Sequence, residues 1–267
     1  MRLKVELIIT GNGRTLPINY QYPLSAWIYK TLHHANPEFS AWLHSHGYSF
    51  ENRQFKLFTF SNLSFEKSKV SGDRLTSLSD SVSLIISFLV PETVQHFVRG
   101  CFINQRFRLG DYISQLDLQV RGLEILPSPL FQEEMSFETM SPVCISQSRE
   151  GEGIGSCEYL SPVDERYGLI LKENLIRKHI AFNGGEGFGN DFSFMLLSEP
   201  RSKLISVIKD KNNPIRFRAY HYRFKIKATP ELVKMGYYAG FGEKNSMGCG
   251  CVKLIETVND TIKKQGK

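Results

Sequence analysis

In the first 126 residues, segments in which hydrophobic residues recur at every second position alternate with segments in which they recur at helical spacing. Apolar residues at every second position from Leu3 to Ile9 predict a half-buried strand. From Pro23 they recur at helical spacing, and Asn36 followed by Pro37 predicts the start of a second, short helix. The remaining predicted elements are strands over 56–60 and 82–90, a helix from Pro91 to about Phe102, and strands from Phe107 onwards and over 116–126. This β-α-(α)-β-β-α-β order is that of a ferredoxin-like unit.

Pro127-Ser-Pro129 marks the clearest boundary in the chain and divides it into predicted domains 1–128 and 129–267. The second half gives a similar order of elements. They are strand pattern over 135–145, a loop over 149–155, a helix over 163–182, a glycine loop over 183–190, strands over 192–197, 204–208 and 215–227, a short helix over 230–235, and a last strand over 249–256. We therefore predict an α+β fold of two tandem ferredoxin-like (RRM-like, βαββαβ) domains with a C-terminal glycine-rich loop.

Composition narrows the classes of function only a little. With 33 Lys and Arg against 27 Asp and Glu, the net charge is +6, which mildly favours a polyanionic partner. The five cysteines are scattered, and Cys249-x-Cys251 has the wrong spacing for a zinc knuckle. Charged residues interrupt the first apolar positions, and the longest apolar run, 82–90, is too short to span a bilayer. We expect a soluble, cytoplasmic protein with reduced thiols, no membrane contact, no metal and no cofactor.

The most distinctive stretch is residues 236–250, here called the glycine segment. It contains Gly236, Gly240, Gly242, Gly248 and Gly250, with Lys244, Asn245 and Ser246 between the later pairs. Such a loop can bring backbone N–H groups close to an anion. It is neither a Walker loop nor a dinucleotide fingerprint, because a helix precedes it and a strand follows. Two interpretations remain: a phosphate-binding loop, or an ordinary turn before the last strand.

The pattern Gly-Phe-Gly, five residues, Gly-x-Gly resembles the C-terminal signature of the CRISPR-associated RAMP superfamily. Within it, VKMGYYAGFGEKNSMGCGCVKL resembles the sixth Cas family, which cuts precursor CRISPR RNA. Two N-terminal stretches, NYQYPLSAWIYKTLHHANPEFSAWLH and KLFTFSNL, share this similarity, and LVPETVQHFVRGCFINQRFRLGDYI carries it more weakly. The resemblance implies tandem ferredoxin-like domains and a metal-independent endoribonuclease.

Basic and aromatic residues are concentrated in residues 215–227, where they suit an RNA backbone and stacked bases. The basic positions change phase along this stretch, which predicts a bulge near Ala219 or a strand with two cationic faces. No aromatic consensus of RNA-recognition motifs is evident. The predicted RNA-binding residues are Arg216, Arg218, Arg223, Lys225, Lys227, Gly240, Gly242, Lys244, Asn245, Ser246, Gly248 and Gly250.

RNA can be cut without metal when its own 2′-hydroxyl attacks the adjacent phosphate. Histidine suits the proton transfers, because its unperturbed pKa of about 6.5 keeps both forms available. The family's tyrosine, histidine and lysine correspond to Tyr29, His44 and Lys56. His44 is the expected general base. Tyr29 is expected to position the reacting groups or to protonate the leaving oxygen, and Lys56 to stabilise charge on the phosphorane. Helical phase also directs Tyr29 and His44 away from the apolar faces of their helices.

Several alternatives stay open for these residues. His33 or His46 could replace His44, although His46 lies beside the apolar face of the second helix, and Arg53 could replace Lys56. Without the resemblance, the three residues would be ordinary surface positions. The expected partner is CRISPR repeat RNA, both precursor and mature, and other CRISPR effector subunits are further candidate partners. The chain is expected to be a monomer or a homodimer. The alternative functions are a RAMP-fold subunit that holds repeat RNA without cutting it, and an unrelated basic protein with a structural glycine loop.

Overall fold

A computed structural model of the chain describes residues 1–148, 157–185, 191–207 and 214–255. The elements of the first half are β1 Arg2–Ile9, β2 Thr15–Pro17, α1 Gln21–Ala35, α2 Pro37–Ser45, β3 Tyr48–Phe50, β4 Arg53–Phe55, β5 Phe58–Phe60, β6 Ser64–Phe65, β7 Ser68–Ser71, β8 Arg74–Ser77, β9 Ser81–Phe88, α3 Pro91–Ile103, β10 Arg106–Gly110 and β11 Gln115–Leu126.

The first half forms an antiparallel sheet in the order β10-β11-β1-β9-β5, and β6 also pairs with β9. Omitting the edge strand β10, the order is fourth, first, third and second strand of a β-α-β-β-α-β unit, which is ferredoxin-like. The residues from Leu3 to Ile9 that alternate in sequence are buried against α1 and α3. The predicted strands 3–9 and 82–90 and the helix from Pro91 are therefore confirmed.

The second half repeats this arrangement. Its elements are β12 Glu134–Thr139, β13 Ser146–Ser148, β14 Cys157–Tyr159, α4 Tyr167–Asn183, β15 Ser193–Leu196, β16 Arg201–Val207, β17 Ile215–His221, β18 Arg223–Lys227, α5 Pro230–Ala239, a 3-10 helix Asn245–Met247 and β19 Val252–Leu254. The main sheet has the order β15-β18-β12-β19, again second, third, first and fourth. Both halves are thus ferredoxin-like, as predicted, whereas the exact boundary at residue 128 stays a prediction.

One strand prediction in the second half is wrong. Residues 215–227 form two strands that break at the buried Tyr222, not one strand with a bulge near Ala219. The first, β17, pairs with β16 in a separate two-stranded sheet, while β18 pairs with β12 and β15. The change of phase in the sequence reflects this transfer from one sheet to another.

Other boundaries also differ from the predictions. The helix predicted from residue 163 begins at Tyr167, the strand predicted from Lys56 begins at Phe58, and the last strand begins at Val252 rather than Cys249. The predicted loop 149–155 and most of the predicted loop 183–190 lie outside the described residues. Short strands at the hairpins β3–β4 and β7–β8 were not predicted, because three or four residues are too few to display a period.

The two halves share buried contacts near the glycine segment. The core of the second half includes Phe55, Leu57 and Val90 from the first. The buried guanidinium of Arg2 donates to the backbone carbonyls of Tyr237, near the start of the glycine segment, and Val252, just after its end. In the described part of the chain no helix is long and apolar enough to cross a membrane. All five cysteines are free thiols.

Candidate active site

The position of His44 follows from how α2 begins and docks. The side chain of Asn36 accepts a hydrogen bond from Phe39 N at 3.0 Å, which caps the helix as predicted. Ser40, buried one turn later, donates its hydroxyl to Tyr29 O at 3.0 Å and fixes α2 against α1. One further turn places the exposed His44 over the edge of Tyr29, with ring centroids 5.0 Å apart at 82°. The two predicted residues are therefore neighbours.

Tyr29 does not point outward as its helical phase predicted. Its ring is partly buried, packs edge-on against Phe58 at 5.6 Å, and its hydroxyl forms a side-chain hydrogen bond with Ser246 of the glycine segment. Ser25, one turn earlier on α1, donates to Ser246 O at 2.6 Å. The segment covers this face of α1, which is why the face is polar but not solvated. Burial raises the pKa of Tyr29 to about 12, so the phenol is protonated at neutral pH.

A tight hairpin after α2 brings Lys56 back to the end of that helix. The helix ends at His46, Gly47 has a φ of +62°, and strands β3 and β4 then pair antiparallel. The chain therefore comes back so that Lys56 Nζ donates to His46 O at 3.2 Å. Burial lowers the pKa of Lys56, and no neighbouring charge in the described residues adds to this effect. A cation thus lies at the same helix end as His44.

The glycine segment and Lys56 line one cleft. Lys56, Gly242, Ser246 and the buried Lys178 of α4 are among its lining residues. Since Ser246 also bonds to Tyr29, the cleft lies beside the Tyr29–His44 pair. The three predicted catalytic residues are thus grouped around one end of the segment.

The glycines of the segment face protein rather than open space. Gly240, Gly242, Gly248 and Gly250 are buried and have positive φ angles of +94°, +70°, +86° and +82°. A Cβ on Gly242 would lie 2.4 Å from Cys144 O, and one on Gly250 would lie 2.0 Å from Phe241 O. These four glycines therefore pack closely against other parts of the protein: against backbone oxygens at Gly242 and Gly250, and against side chains at Gly240 and Gly248. That RNA also approaches them stays a prediction.

The polar residues of the segment divide into internal and accessible groups. Asn245 was predicted to bind RNA, but its amide nitrogen donates to Phe241 O at 3.1 Å and Cys249 O at 3.0 Å. It closes the loop from inside. Lys244 is partly exposed, has a φ of +55°, and holds its ammonium 5.2 Å from the ring centre of Phe217. Lys244 and Ser246 are partly exposed, as are the other residues of 243–247.

The predicted basic residues occupy two different surfaces. Arg216 and Arg218 are exposed on β17, where Arg218 donates to Ser202 Oγ at 2.8 Å. The other three lie on β18 and pair with carboxylates: Arg223 with Glu138 at 3.6 Å, Lys225 with Glu134 at 2.7 Å and Lys227 with Asp191 at 3.1 Å. The single cationic strand expected from the sequence is therefore two separate patches, of which only that on β17 lacks carboxylate partners in the described residues.

The alternative residues are arranged less favourably. His33 is exposed in the last turn of α1, and His46 is exposed at the C-terminal cap of α2. Arg53 pairs with Glu243 at 3.1 Å, so its charge is already matched. Within the described residues, no group of three or more His, Cys, Asp and Glu side chains could hold a metal ion.

Sequence reasoning missed Lys178, which is fully buried and donates to the carbonyls of Gly240 and Gly242, each at 2.6 Å. A signal existed. The buried residues of α4 are Tyr167, Leu171, Asn174, Leu175 and Lys178, and this spacing makes the lysine part of the buried stripe.

Comparison with known proteins agrees with this arrangement. The family model "CRISPR-associated protein Cas6, N-terminal" matches residues 15–117, and "CRISPR associated protein Cas6, C-terminal" matches residues 126–254. A Methanocaldococcus jannaschii protein, CRISPR-associated endoribonuclease Cas6 1, is 33% identical over 264 residues, which cover 99% of this chain and 96% of that protein. This chain belongs to the Cas6 family.

Further similarity extends over nearly the whole Cas6 chain. The CRISPR-associated endoribonuclease Cas6 of Pyrococcus furiosus is 28% identical, covering 95% of this chain and 90% of that protein. A solved structure described as "CRISPR associated protein Cas6" is 32% identical with a TM-score of 0.77, covering 96% of this chain and 99% of that one. Another, "An RAMP protein binding different RNA substrates", is 26% identical with a TM-score of 0.82, covering 96% and 100%. The family and fold predicted from the glycine segment are confirmed.

Proposed function

We propose that this Cas6 protein is an endoribonuclease that cuts precursor CRISPR RNA within its repeats to generate guide RNAs for antiviral defence. Relatives in Methanocaldococcus jannaschii and Pyrococcus furiosus are named CRISPR-associated endoribonucleases. The observation that carries the proposal is the contact between Tyr29 and His44, 5.0 Å between ring centroids, beside a cleft lined by Lys56. A histidine and a tyrosine can supply the proton transfers of metal-independent RNA cleavage, and a lysine can stabilise the charge that develops on the phosphate.

In this mechanism His44 removes the proton from the 2′-hydroxyl at the cut site. The 2′-oxygen attacks the adjacent phosphorus, and the bond from phosphorus to the 5′-oxygen breaks. The products are a 2′,3′-cyclic phosphate and a 5′-hydroxyl, whose proton comes from an acid. Tyr29 is suited to be this acid or to position the reacting groups, because burial raises its pKa to about 12 and keeps the phenol protonated.

Lys56 is proposed to stabilise the charge that develops on the phosphorane. Its ammonium lies at the end of the helix that carries His44, where it donates to His46 O at 3.2 Å. A preorganised cation in a partly desolvated cleft is a stronger electrostatic partner than one in water. Replacing the weak contact to His46 O by a contact to a phosphate oxygen requires only rotation of a flexible side chain.

The RNA would run from this cleft along the glycine segment to β17. Lys244 and Ser246 of the segment and Arg216 and Arg218 of β17 offer the accessible contacts. Arg223, Lys225 and Lys227 would contribute less, because each is paired with a carboxylate. Gly240, Gly242, Gly248, Gly250 and Asn245 would act by shaping the segment rather than by touching RNA. Binding to other CRISPR effector subunits, and the choice between monomer and homodimer, remain predictions.

The decisive experiment is cleavage of a labelled repeat RNA from the protein's own locus in excess EDTA. The same RNA with a single 2′-deoxy sugar at the cut site serves as the matched control. We expect one discrete cut that EDTA does not affect and that the deoxy sugar abolishes. Tight binding without a cut would instead support a non-catalytic RAMP-fold subunit, and cleavage of the deoxy substrate would exclude attack by the 2′-hydroxyl.

A further inference from the structure

The ammonium group of Lys178 is buried beneath the glycine segment and has no ion-pair partner among the residues that the structure describes. Its side chain is 1% exposed, and its Nζ lies 2.6 Å from both Gly240 O and Gly242 O. The nearest influential carboxylate is Glu243, which is itself engaged by Arg53 at 3.1 Å and Ser146 at 2.7 Å. The lysine charge is therefore balanced mainly by two backbone carbonyl dipoles.

Burying a lysine in this way is costly for folding. Desolvation disfavours the charged form, and it lowers the pKa of Lys178 to about 7. An apolar side chain of similar length would fill the same space without that cost. The residue is retained on the apolar stripe of α4, at a position between Leu175 and the segment. A cost of this kind points to a use for the charge.

The contacts of the segment indicate what the charge can do. Gly240 and Gly242 have φ angles of +94° and +70°, so their carbonyls can turn toward α4. Lys178 holds both carbonyls toward α4. Four residues beyond Gly242, Ser246 meets Tyr29 and Ser25. The conformation that Lys178 stabilises is thus the one that brings Ser246 onto the tyrosine of the candidate active site.

The same arrangement favours a bound phosphate. Carbonyl oxygens that faced the cleft would repel an anion, whereas carbonyls neutralised from below by a buried ammonium do not. Lys178 also lines the cleft shared with Lys56 and Ser246. In a low-dielectric interior its charge acts on a phosphate over a longer distance than a solvated lysine would.

We propose that Lys178 is a positioning residue of the RNA-cleavage reaction: by holding the carbonyls of Gly240 and Gly242 inward, it orients Ser246 toward Tyr29 and makes the segment receptive to a phosphate of the RNA. The proposal rests on the function proposed above. Lys178 touches no reacting atom and acts through the segment.

A dependence on pH follows, because a phosphate stabilises the charged form of Lys178. Affinity for RNA should therefore fall as the pH rises through about 7, the pKa of the buried lysine. The charged groups that face the same cleft are Arg53, Lys56, Glu243 and Lys244. None of them is replaced in a Lys178 variant, so comparison with the wild type measures what the charge of Lys178 adds to theirs.

The test compares Lys178→Met with Lys172→Met, the same substitution at a partly exposed lysine of the same helix. A noncleavable 2′-deoxy repeat RNA measures affinity from pH 6 to 8.5, and single-turnover cleavage measures the chemical step. For Lys178→Met we expect about tenfold weaker binding at pH 6.5, a slower single-turnover rate and a flatter dependence of affinity on pH. Lys172→Met should match the wild type in all three.

A second variant, Lys178→Arg, keeps a charge that does not titrate. It should bind RNA with an affinity that no longer falls through pH 7, and it decides the question if Lys178→Met does not fold. Wild-type affinity, rate and pH dependence in Lys178→Met, or an unchanged pH dependence in Lys178→Arg, would overturn the proposal. A wild-type protein that binds no repeat RNA would instead overturn the proposed function itself.

Discussion

The glycine segment offers a prediction in which conformational strain and steric overlap can be separated. Gly250 is buried with a φ of +82°, and a Cβ there would lie 2.0 Å from Phe241 O and 2.6 Å from Asn245 Nδ2. Gly72 also has a positive φ, +57°, but a Cβ there would meet nothing within 4 Å. Changing each glycine to alanine therefore imposes backbone strain at both positions and overlap at only one.

The expected magnitudes differ accordingly. A left-handed conformation costs alanine about 1 kcal/mol, and this is the whole cost at Gly72. At Gly250 the overlap is with a backbone oxygen, which cannot move as a flexible side chain can, and overpacking of this kind costs roughly 2 kcal/mol more. Displacing Asn245 from Phe241 O, a hydrogen bond of 3.1 Å, removes about 1 kcal/mol in addition. The totals are about 4 kcal/mol for Gly250→Ala and about 1 kcal/mol for Gly72→Ala.

Equilibrium unfolding in urea, followed by circular dichroism, measures both values from the shift of the midpoint at an unchanged slope. Repeat-RNA affinity, measured on the folded variants, should fall for Gly250→Ala and stay at the wild-type value for Gly72→Ala. Equal destabilisation by the two substitutions would refute the interpretation that the segment's glycines are required by contacts within the protein. A loss of RNA affinity in Gly250→Ala at unchanged stability would show that RNA itself approaches this glycine.

Three further predictions concern the surrounding residues. His44→Ala should slow single-turnover cleavage by about 100-fold or more while leaving the affinity for a noncleavable repeat RNA unchanged, because the imidazole acts on protons; wild-type cleavage would transfer the role to His33 or His46. Asn36→Ala should lower the free energy of unfolding by about 1 kcal/mol through loss of the helix cap, measured by urea unfolding, and an unchanged midpoint would contradict the role of the cap. The folded-state pKa of Lys178, about 7, lies below the value of 10.5 expected when unfolded, so the unfolded state binds more protons between these values and stability rises with pH there. The wild type should therefore gain about 1 kcal/mol relative to Lys178→Met between pH 7.5 and 8.5, and an equal pH dependence of unfolding in the two proteins would count against a buried, titrating lysine.

Local sequence predicted the helices around the site with good accuracy because their signals lie within a few residues. Asn36 caps α2 through Phe39, only three positions away, and Pro91 opens α3 as expected. The resemblance added Tyr29, His44 and Lys56, which periodicity alone could not have selected. The structure brings the first two together because the hydroxyl of Ser40 docks one helix on the other.

Other features depended on partners that are distant in sequence. The break at Tyr222 divides the predicted basic strand because β17 and β18 have different partners, β16 and β12. The inward orientation of Tyr29 depends on Ser246, more than 200 residues away, and its helical phase therefore predicted the wrong environment. The spacing of Lys178 from the apolar residues of α4 is visible in the sequence. The carbonyls to which its ammonium donates belong to the glycine segment, however, and the sequence does not show that contact.

By itself, the sequence determined most of the helices and the longer strands, the tandem ferredoxin-like order and the family, because periodicity, caps and the spacing of glycines are local properties of the chain. Only the tertiary structure decided what the glycines are for. Their backbone angles and contacts are set by Phe241 within the segment and by Cys144 and Lys178, which lie far from it in sequence but in contact with it in space. A hydrogen bond or a steric contact acts over a few ångströms in space, and no pattern along the chain records which distant residues will come that close.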